Sequence, residues 1–189
     1  MKFAEAYANL GIVYHAMNNF SEALMHMLKA QDIVEQNFPS FQEKLSIIYN
    51  NIGSVYSSID DLSNAHHYYE KSLIIKEKVL PFNHPSLTST HNNLAEISFK
   101  RGNEEDALKQ FQKVLELDLQ TLPSHHLSLA NTYHNIAFIQ NRQKHYLQAL
   151  ENMTKALNIA KKLNHLDMHE YQEQVSTILN EINNEKIIQ

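Results

Sequence analysis

Apolar residues along the chain fall three and four positions apart in short runs, and the runs recur. In one of them Tyr49, Ile52, Gly53 and Tyr56 share a single face at helical spacing. Asp60-Asp61 interrupts it, and a second helical run follows through Leu62, Ala65, Tyr69, Leu73 and Lys76. This second helix is predicted to end at Val79-Leu80, because Pro81 has no N–H to donate and its ring crowds the preceding turn. The linker Pro81-Phe82-Asn83-His84-Pro85 then predicts a new helix start. Asn83 or His84 would cap it, and Pro85 would take the first helical position, where no N–H is needed. Leu122-Pro123-Ser124-His125-His126 carries a similar signal.

These runs hold one register of 42 residues. Ala23, Ala65, Ala107 and Ala149 are successive steps of it, as are Leu10, Ile52, Leu94 and Ile136. So are Met27, Tyr69, Phe111 and Met153, the small column Gly11, Gly53, Ala95 and Ala137, and the column Tyr7, Tyr49, His91 and Tyr133. Pro39, Pro81 and Pro123 keep the step as well. Each unit therefore predicts two helices. The small residue on the first helix and the alanine on the second let the pair approach closely, and Tyr7, Tyr14, Phe20 and Met27 fill the space between neighbours. One hairpin cannot bury both of its apolar faces, so units are expected to stack into a superhelical array.

Composition narrows the class. The 189 residues are 43% hydrophobic, enough for a real core, and 3 Gly with 4 Pro are too few for the turns of an all-β chain. A formal charge of −5 argues against an electrostatic clamp on nucleic acid, so no nucleic-acid partner is expected. With no cysteine there are no disulfides, thiolate nucleophiles or cysteine zinc sites. Met1-Lys2-Phe3-Ala4-Glu5 has no apolar signal core, and no stretch is long and apolar enough to span a bilayer. The expectation is a cytoplasmic, reducing setting with no membrane partner.

In the first unit Tyr7, Leu10-Gly11, Tyr14, Phe20, Ala23 and Ala30 set small and aromatic residues at a spacing that resembles the tetratricopeptide repeat. The usual unit is ~34 residues. Eight more, at ~1.5 Å each, add about two helical turns. The long unit, with Leu80 to Leu87 leading to Asn92-Asn93-Leu94-Ala95, resembles the kinesin light chain and nephrocystin-type subgroup. Glu104, Ser98, Gln140, Val114 and Ser72 depart from the column types. The heptad coiled coil that joins kinesin light chains to their motor is missing, so a motor-adaptor role is not carried over. The resemblance implies an all-α, right-handed α-solenoid of four helix-turn-helix repeats plus a C-terminal capping helix. It would form a single domain over 1–189, with repeats near 4–39, 43–81, 85–123 and 127–163 and a cap at 167–184. In the cap, Leu179 falls in the small-residue column, where no second helix need approach. The N-terminus starts inside a first helix, as expected either of a naturally short array or of a fragment of a longer one.

In such arrays the first helices line a concave groove. Asn9, Asn51, Asn93 and Asn135 form a column there, and an amide supplies both donors and an acceptor to an extended backbone, whatever its side chains. The resemblance implies that this ladder grips an extended protein or peptide partner. Neighbouring groove positions add Asn50, Asn92, Asn131 and His134, with Phe99, Lys100, Phe138 and Arg142. Asparagine is a mediocre helix former, so four placed mid-helix are not explained by solubility alone. Phe99 and Phe138 serve as anchor pockets or, at helical spacing, as packing. The column Glu5, Ile47, Ser89, Asn131 and the column Ala8, Asn50, Asn92, His134 lack the Lys and Arg of a terminal-carboxylate clamp. Lys100 and Arg142 remain to meet an acidic side chain of the partner.

Other chemistry fits poorly. His165, His169 and Glu173 recur at i, i+4 and i+8, and His66-His67 with Glu70 and His125-His126 are further histidine groups. Yet Leu166-Asp167-Met168 lacks the Glu of a zinc hydrolase motif, and a helix face gives a metal no outer partners. Gly11, Gly53 and Gly102 are isolated, so there is no phosphate loop, and no Gly-x-Ser-x-Gly elbow occurs. No enzyme activity, cofactor or metal is expected. Three readings follow: an adaptor gripping an extended peptide, a regulatory or localising arm of a larger and even enzymatic polypeptide, and a scaffold self-associating as a homo-oligomer through the N-terminal helix. That last reading rests on an exposed patch of Phe3, Tyr7, Leu10 and Tyr14.

Overall fold

The computed structural model describes residues 2–37 and 40–188, and Pro39 of the proline column lies outside them. Among the described residues there are nine α-helices and no strand. They are α1 (Lys2–Ala16), α2 (Phe20–Asn37), α3 (Gln42–Ser58), α4 (Leu62–Val79), α5 (Pro85–Lys100), α6 (Glu104–Thr121), α7 (Leu127–Arg142), α8 (Tyr146–Leu163) and α9 (Met168–Ile188). The chain divides into two compact units, Met1–Asn103 and Glu104–Gln189.

Each hairpin turns in the same way. Asn18, Asp60, Gly102 and Lys144, again 42 apart, take left-handed backbone conformations with φ of 58°, 60°, 78° and 62°. The N–H three residues past the end of each first helix then reaches back five residues: Asn19 to Tyr14, Asp61 to Tyr56, Asn103 to Ser98 and His145 to Gln140, at 2.8–3.0 Å. This Schellman closure satisfies carbonyls that the helix end would otherwise orphan. Asn, Asp and Gly tolerate this conformation; Lys144 does so less readily. The column is readable in the sequence once its meaning is known. The second helix of the second repeat starts on Asp61, whose carboxylate accepts from the Asn64 N–H at 3.1 Å.

The linkers behave as the proline pattern predicts. His84 caps α5, its Nδ1 accepting from the Ser86 N–H at 3.2 Å, with Pro85 at the first helical position. His126 caps α7 likewise, accepting from Ser128 N–H at 3.1 Å. Elsewhere the histidine pattern misleads. Asn164 turns left-handed and ends α8, so His165 sits in the turn before α9 and does not share a helix face with His169 and Glu173. Its Nδ1 instead lies 3.4 Å from the Asp167 carboxylate.

The small columns do the packing expected of them. Ala23, Ala65, Ala107 and Ala149 are fully buried. A Cβ on Gly53 would stand 2.8 Å from Tyr69 Cδ1, and one on Gly11 would stand 2.4 Å from Met27 Cγ. The polar departure Ser72 is buried without loss, because its hydroxyl donates to Ser46 O across α4 and α3 at 2.7 Å. In the first unit α2 packs on α3, through Met27, Val34, Leu45 and Ile52, and α4 packs on α5 through Ala65, Tyr69, Leu94 and Ile97. In the second unit Leu129, Met153, Leu157, Tyr171 and Ile178 join α7, α8 and α9. Leu179 is half out in solvent.

Candidate functional site

In the first unit the first helices α1, α3 and α5 carry Asn9, Asn51 and Asn93. Asn9 is exposed, and Asn51 and Asn93 are half-buried; in the second unit Asn135 on α7 is half-buried too. Among the described residues no hydrogen bond is made to any of these four amides.

Between α1 and α3 lies a cleft of about 360 Å³ that places Asn9 and Asn51 on one apolar lining. Ala4, Val34 and Ile48 are its buried floor, and Ile12 and Ile47 stand exposed at its edge. Ala8, too small to fill the space, leaves it open. Glu5 and Lys44 form an ion pair across the two helices, and the ammonium holds the Glu5 carboxyl below the usual carboxylate range. The pair cancels its own charge, so the cleft presents amides and hydrocarbon rather than a net field. Nearby His15 Nε2 meets Ser58 Oγ at 2.8 Å, a second tie between the same helices.

Several other groove residues turn out to be engaged by the protein itself. The single Thr90 hydroxyl proton is shared between the Ser86 carbonyl at 2.9 Å and Asn50 Oδ1 at 3.3 Å, and Thr90 Oγ1 accepts from the buried Lys76 ammonium at 2.7 Å. Burial without a carboxylate partner drops the Lys76 pKa to about 8. Asn131 Oδ1 accepts from the Tyr171 hydroxyl at 3.2 Å, and the His134 ring stacks on Tyr171 with centroids 5.0 Å apart. Burial, then the nearby Asp167 and Glu170 carboxylates, push the Tyr171 phenol up to about 12. Arg142 donates from Nε to Glu104 Oε1 at 2.6 Å within the second unit, so a partner's acidic group would have to compete for it. Phe138 is exposed beside His134, Phe99 and Asn92 are half-buried, and Lys100 is exposed.

The sequence pattern had marked neither Tyr171 nor the Ala8 cleft. Tyr171 occupies the column of Phe3, Leu45, Leu87 and Leu129, and its hydroxyl is the one polar feature of that column. A tyrosine where four apolar residues precede it was the available signal. No helix among the described residues is long and apolar enough to cross a membrane.

The comparisons agree with this architecture. A family model described as tetratricopeptide repeat matches residues 2–78 and 86–162. No curated protein matches the chain by sequence. Among solved structures, BtubC (BKLC) from P. vanneervenii is similar at a TM-score of 0.81 and 18% identity, covering 95% of this chain and 72% of that one. A Podosopora anserina protein described as a kinesin light chain with nearly identical tetratricopeptide-like repeats gives a TM-score of 0.80 at 18% identity, covering 96% and 88%. The apo form of RapI gives 0.81 at 17%, covering 97% and 65%. These likenesses establish a shared solenoid fold of kinesin light chain type, a fold used for protein–protein interaction. With its helical pairs in one 42-residue register and most of its length matched, the chain belongs to the tetratricopeptide repeat family.

Proposed function

We propose that the chain is a cytoplasmic, non-enzymatic binding module that holds an extended segment of a protein partner against its first helices. The carrying observation is the contrast among its asparagines. The Oδ1 of Asn50 and that of Asn131 face the Thr90 and Tyr171 hydroxyls, whereas Asn9, Asn51, Asn93 and Asn135 keep both halves of their amides unpaired within the described residues. A primary amide matches the N–H and C=O of an extended backbone. In the first unit, the apolar cleft between Asn9 and Asn51 would take a side chain of that segment.

The test uses peptides selected on the wild-type chain from a random display library, with affinities read by fluorescence anisotropy. Replacing Asn51, Asn93 and Asn135 together by Ala is expected to weaken binding by about tenfold or more, since each net hydrogen bond contributes about 0.5–1.5 kcal/mol. Helicity and melting should not move. Asn50→Ala should do the reverse, lowering stability through Thr90 and sparing affinity. Unchanged affinity in the triple variant would exclude the ladder.

A further inference from the structure

One turn along α7 and α9 from the stacked His134 and Tyr171 lies a second space, of about 200 Å³, wholly within the second unit. Met153 and Ile178 are its buried floor, the half-exposed Phe138 and Asn141 line its α7 side, and Gln174 and Thr177 line its α9 side. The Oδ1 of Asn141 is buried there, and among the described residues nothing donates to it. A buried acceptor in that state costs free energy until a donor reaches it. In the first repeat the same register position is closed, because His15 Nε2 meets Ser58 Oγ at 2.8 Å across α1 and α3. Asn184, the counterpart of Ser58 on α9, is exposed and does not supply that partner.

What would fit the space follows from the oxygens left over on its lining. Gln174 Nε2 donates to Glu170 at 3.1 Å, and the Thr177 hydroxyl donates to Glu173 O at 3.0 Å, so each keeps an oxygen to offer beside Asn141 Oδ1. No charged residue lines the space. The exposed carboxylates of Glu170 and Glu173 lie on the turn of α9 before it, and the neighbouring Arg142 guanidinium is turned to Glu104. A cationic group that only donates is therefore complementary, and an anion is not. An ammonium would answer as a point charge. A guanidinium answers as a planar fork that reaches oxygens on both helices while lying flat on an aromatic ring. We propose that this space is a subsite for an arginine side chain of the bound segment, its guanidinium donating to Asn141 Oδ1 and its stem lying against Phe138 and Ile178. The assignment rests on the extended-segment reading and adds to it the side chain that the second unit selects.

The probe is the peptide acetyl-Gly-Gly-Arg-Gly-Gly-amide, titrated to about 10 mM into the isotope-labelled whole chain and followed by NMR. The same peptide with citrulline, lysine or glutamate in place of arginine is compared. Citrulline keeps the shape and loses the charge. The arginine peptide should move the Asn141 side-chain amide and the Ile178 methyl signals, and bind about fivefold or more tightly than the citrulline peptide. Lysine should bind more weakly than arginine, and glutamate should move neither signal. Asn141→Leu should erase the preference for arginine over citrulline, and Asn141→Asp should enlarge it, which keeps the test decisive even if the Leu variant folds poorly. Asn51→Ala with Asn93→Ala lies in the other unit and should leave the ratio unchanged, so failure of the asparagine ladder and failure of this subsite are read separately. No shift at these signals, equal binding of arginine and citrulline, lysine as tight as arginine, or a preference that survives Asn141→Leu would each overturn the proposal.

Discussion

The cleft between α1 and α3 in the first unit and the cleft between α7 and α9 in the second are built at the same register positions and differ in what fills them. Ala8 and Leu45 in the first correspond to His134 and Tyr171 in the second. In the first, about 360 Å³ is open against Ala8, with Asn9 and Asn51 on its lining. In the second, the imidazole stacks on the phenol, whose hydroxyl donates to Asn131, and a separate space of about 200 Å³, lined by neither ring, lies beside Phe138 and Asn141. The two clefts thus differ in what stands at these two register positions.

The largest effect should come from unsealing the second cleft. Tyr171 is almost fully buried, and Tyr171→Ala removes a large ring along with its bond to Asn131. A loss of about 3–5 kcal/mol is expected for such a truncation. Urea denaturation followed by circular dichroism measures it. A loss below about 1 kcal/mol would mean that α9 does not seal the unit, and the contrast between the clefts would fail.

How far these differences could be read from the chain alone depends on their range. The helices, their proline ends and the fully buried alanine column follow from spacing within a few residues, and that level was legible. The left-handed column at Asn18, Asp60, Gly102 and Lys144 was equally local, but Lys144 disguised it. The free and engaged asparagines were not separable. Asn50 is satisfied by Thr90 and Asn131 by Tyr171, each 40 residues away, and both pairs look like ordinary exposed polar positions in the sequence. Likewise the apolar patch on α1 was mis-populated with Tyr7 and Tyr14, because their face is decided by the stacking partner His26.

A smaller effect tests the small column in both units. At Gly53 an added Cβ meets the Tyr69 ring at 2.8 and 2.9 Å, and that ring is buried and cannot swing aside. Alanine gains about 1 kcal/mol of helix propensity over glycine, but overpacking costs about 1–3 kcal/mol. Gly53→Ala should therefore destabilise the chain, by up to about 2 kcal/mol. In the second unit the fully buried Ala137 faces the flexible Met153, so Ala137→Gly should lose about 1 kcal/mol of propensity and about 0.8 kcal/mol for the buried methyl. Equal and opposite substitutions that both destabilise would show that each unit has fitted its own partner. A stabilised Gly53→Ala would show that the tight approach to Tyr69 is slack.

The smallest expected effect concerns one buried column that carries opposite charges in the two units. Lys76 on α4 donates to Thr90 Oγ1 at 2.7 Å, and Asp118, one period later on α6, accepts from the Ser128 hydroxyl at 2.6 Å. Desolvation lowers the Lys76 pKa from 10.5 to about 8 in the folded chain. Between those values the unfolded chain binds the proton that the folded chain has released, so stability rises with pH. From pH 8 to pH 9 the gain should be about 1 kcal/mol, under the limit of about 1.4 kcal/mol per unit that a single proton sets. Above pH 10 the sign reverses. Tyr69 and Tyr171, held up at about 12 by burial, stay protonated in the fold while their unfolded counterparts ionise. Lys76→Met should abolish the rise between pH 8 and 9, keep the fall above pH 10, and leave the chain at least as stable at pH 7, because no charge is then buried. Urea midpoints across this range measure all three. A wild-type rise that survives in the Met variant would assign it to other groups and leave Lys76 silent.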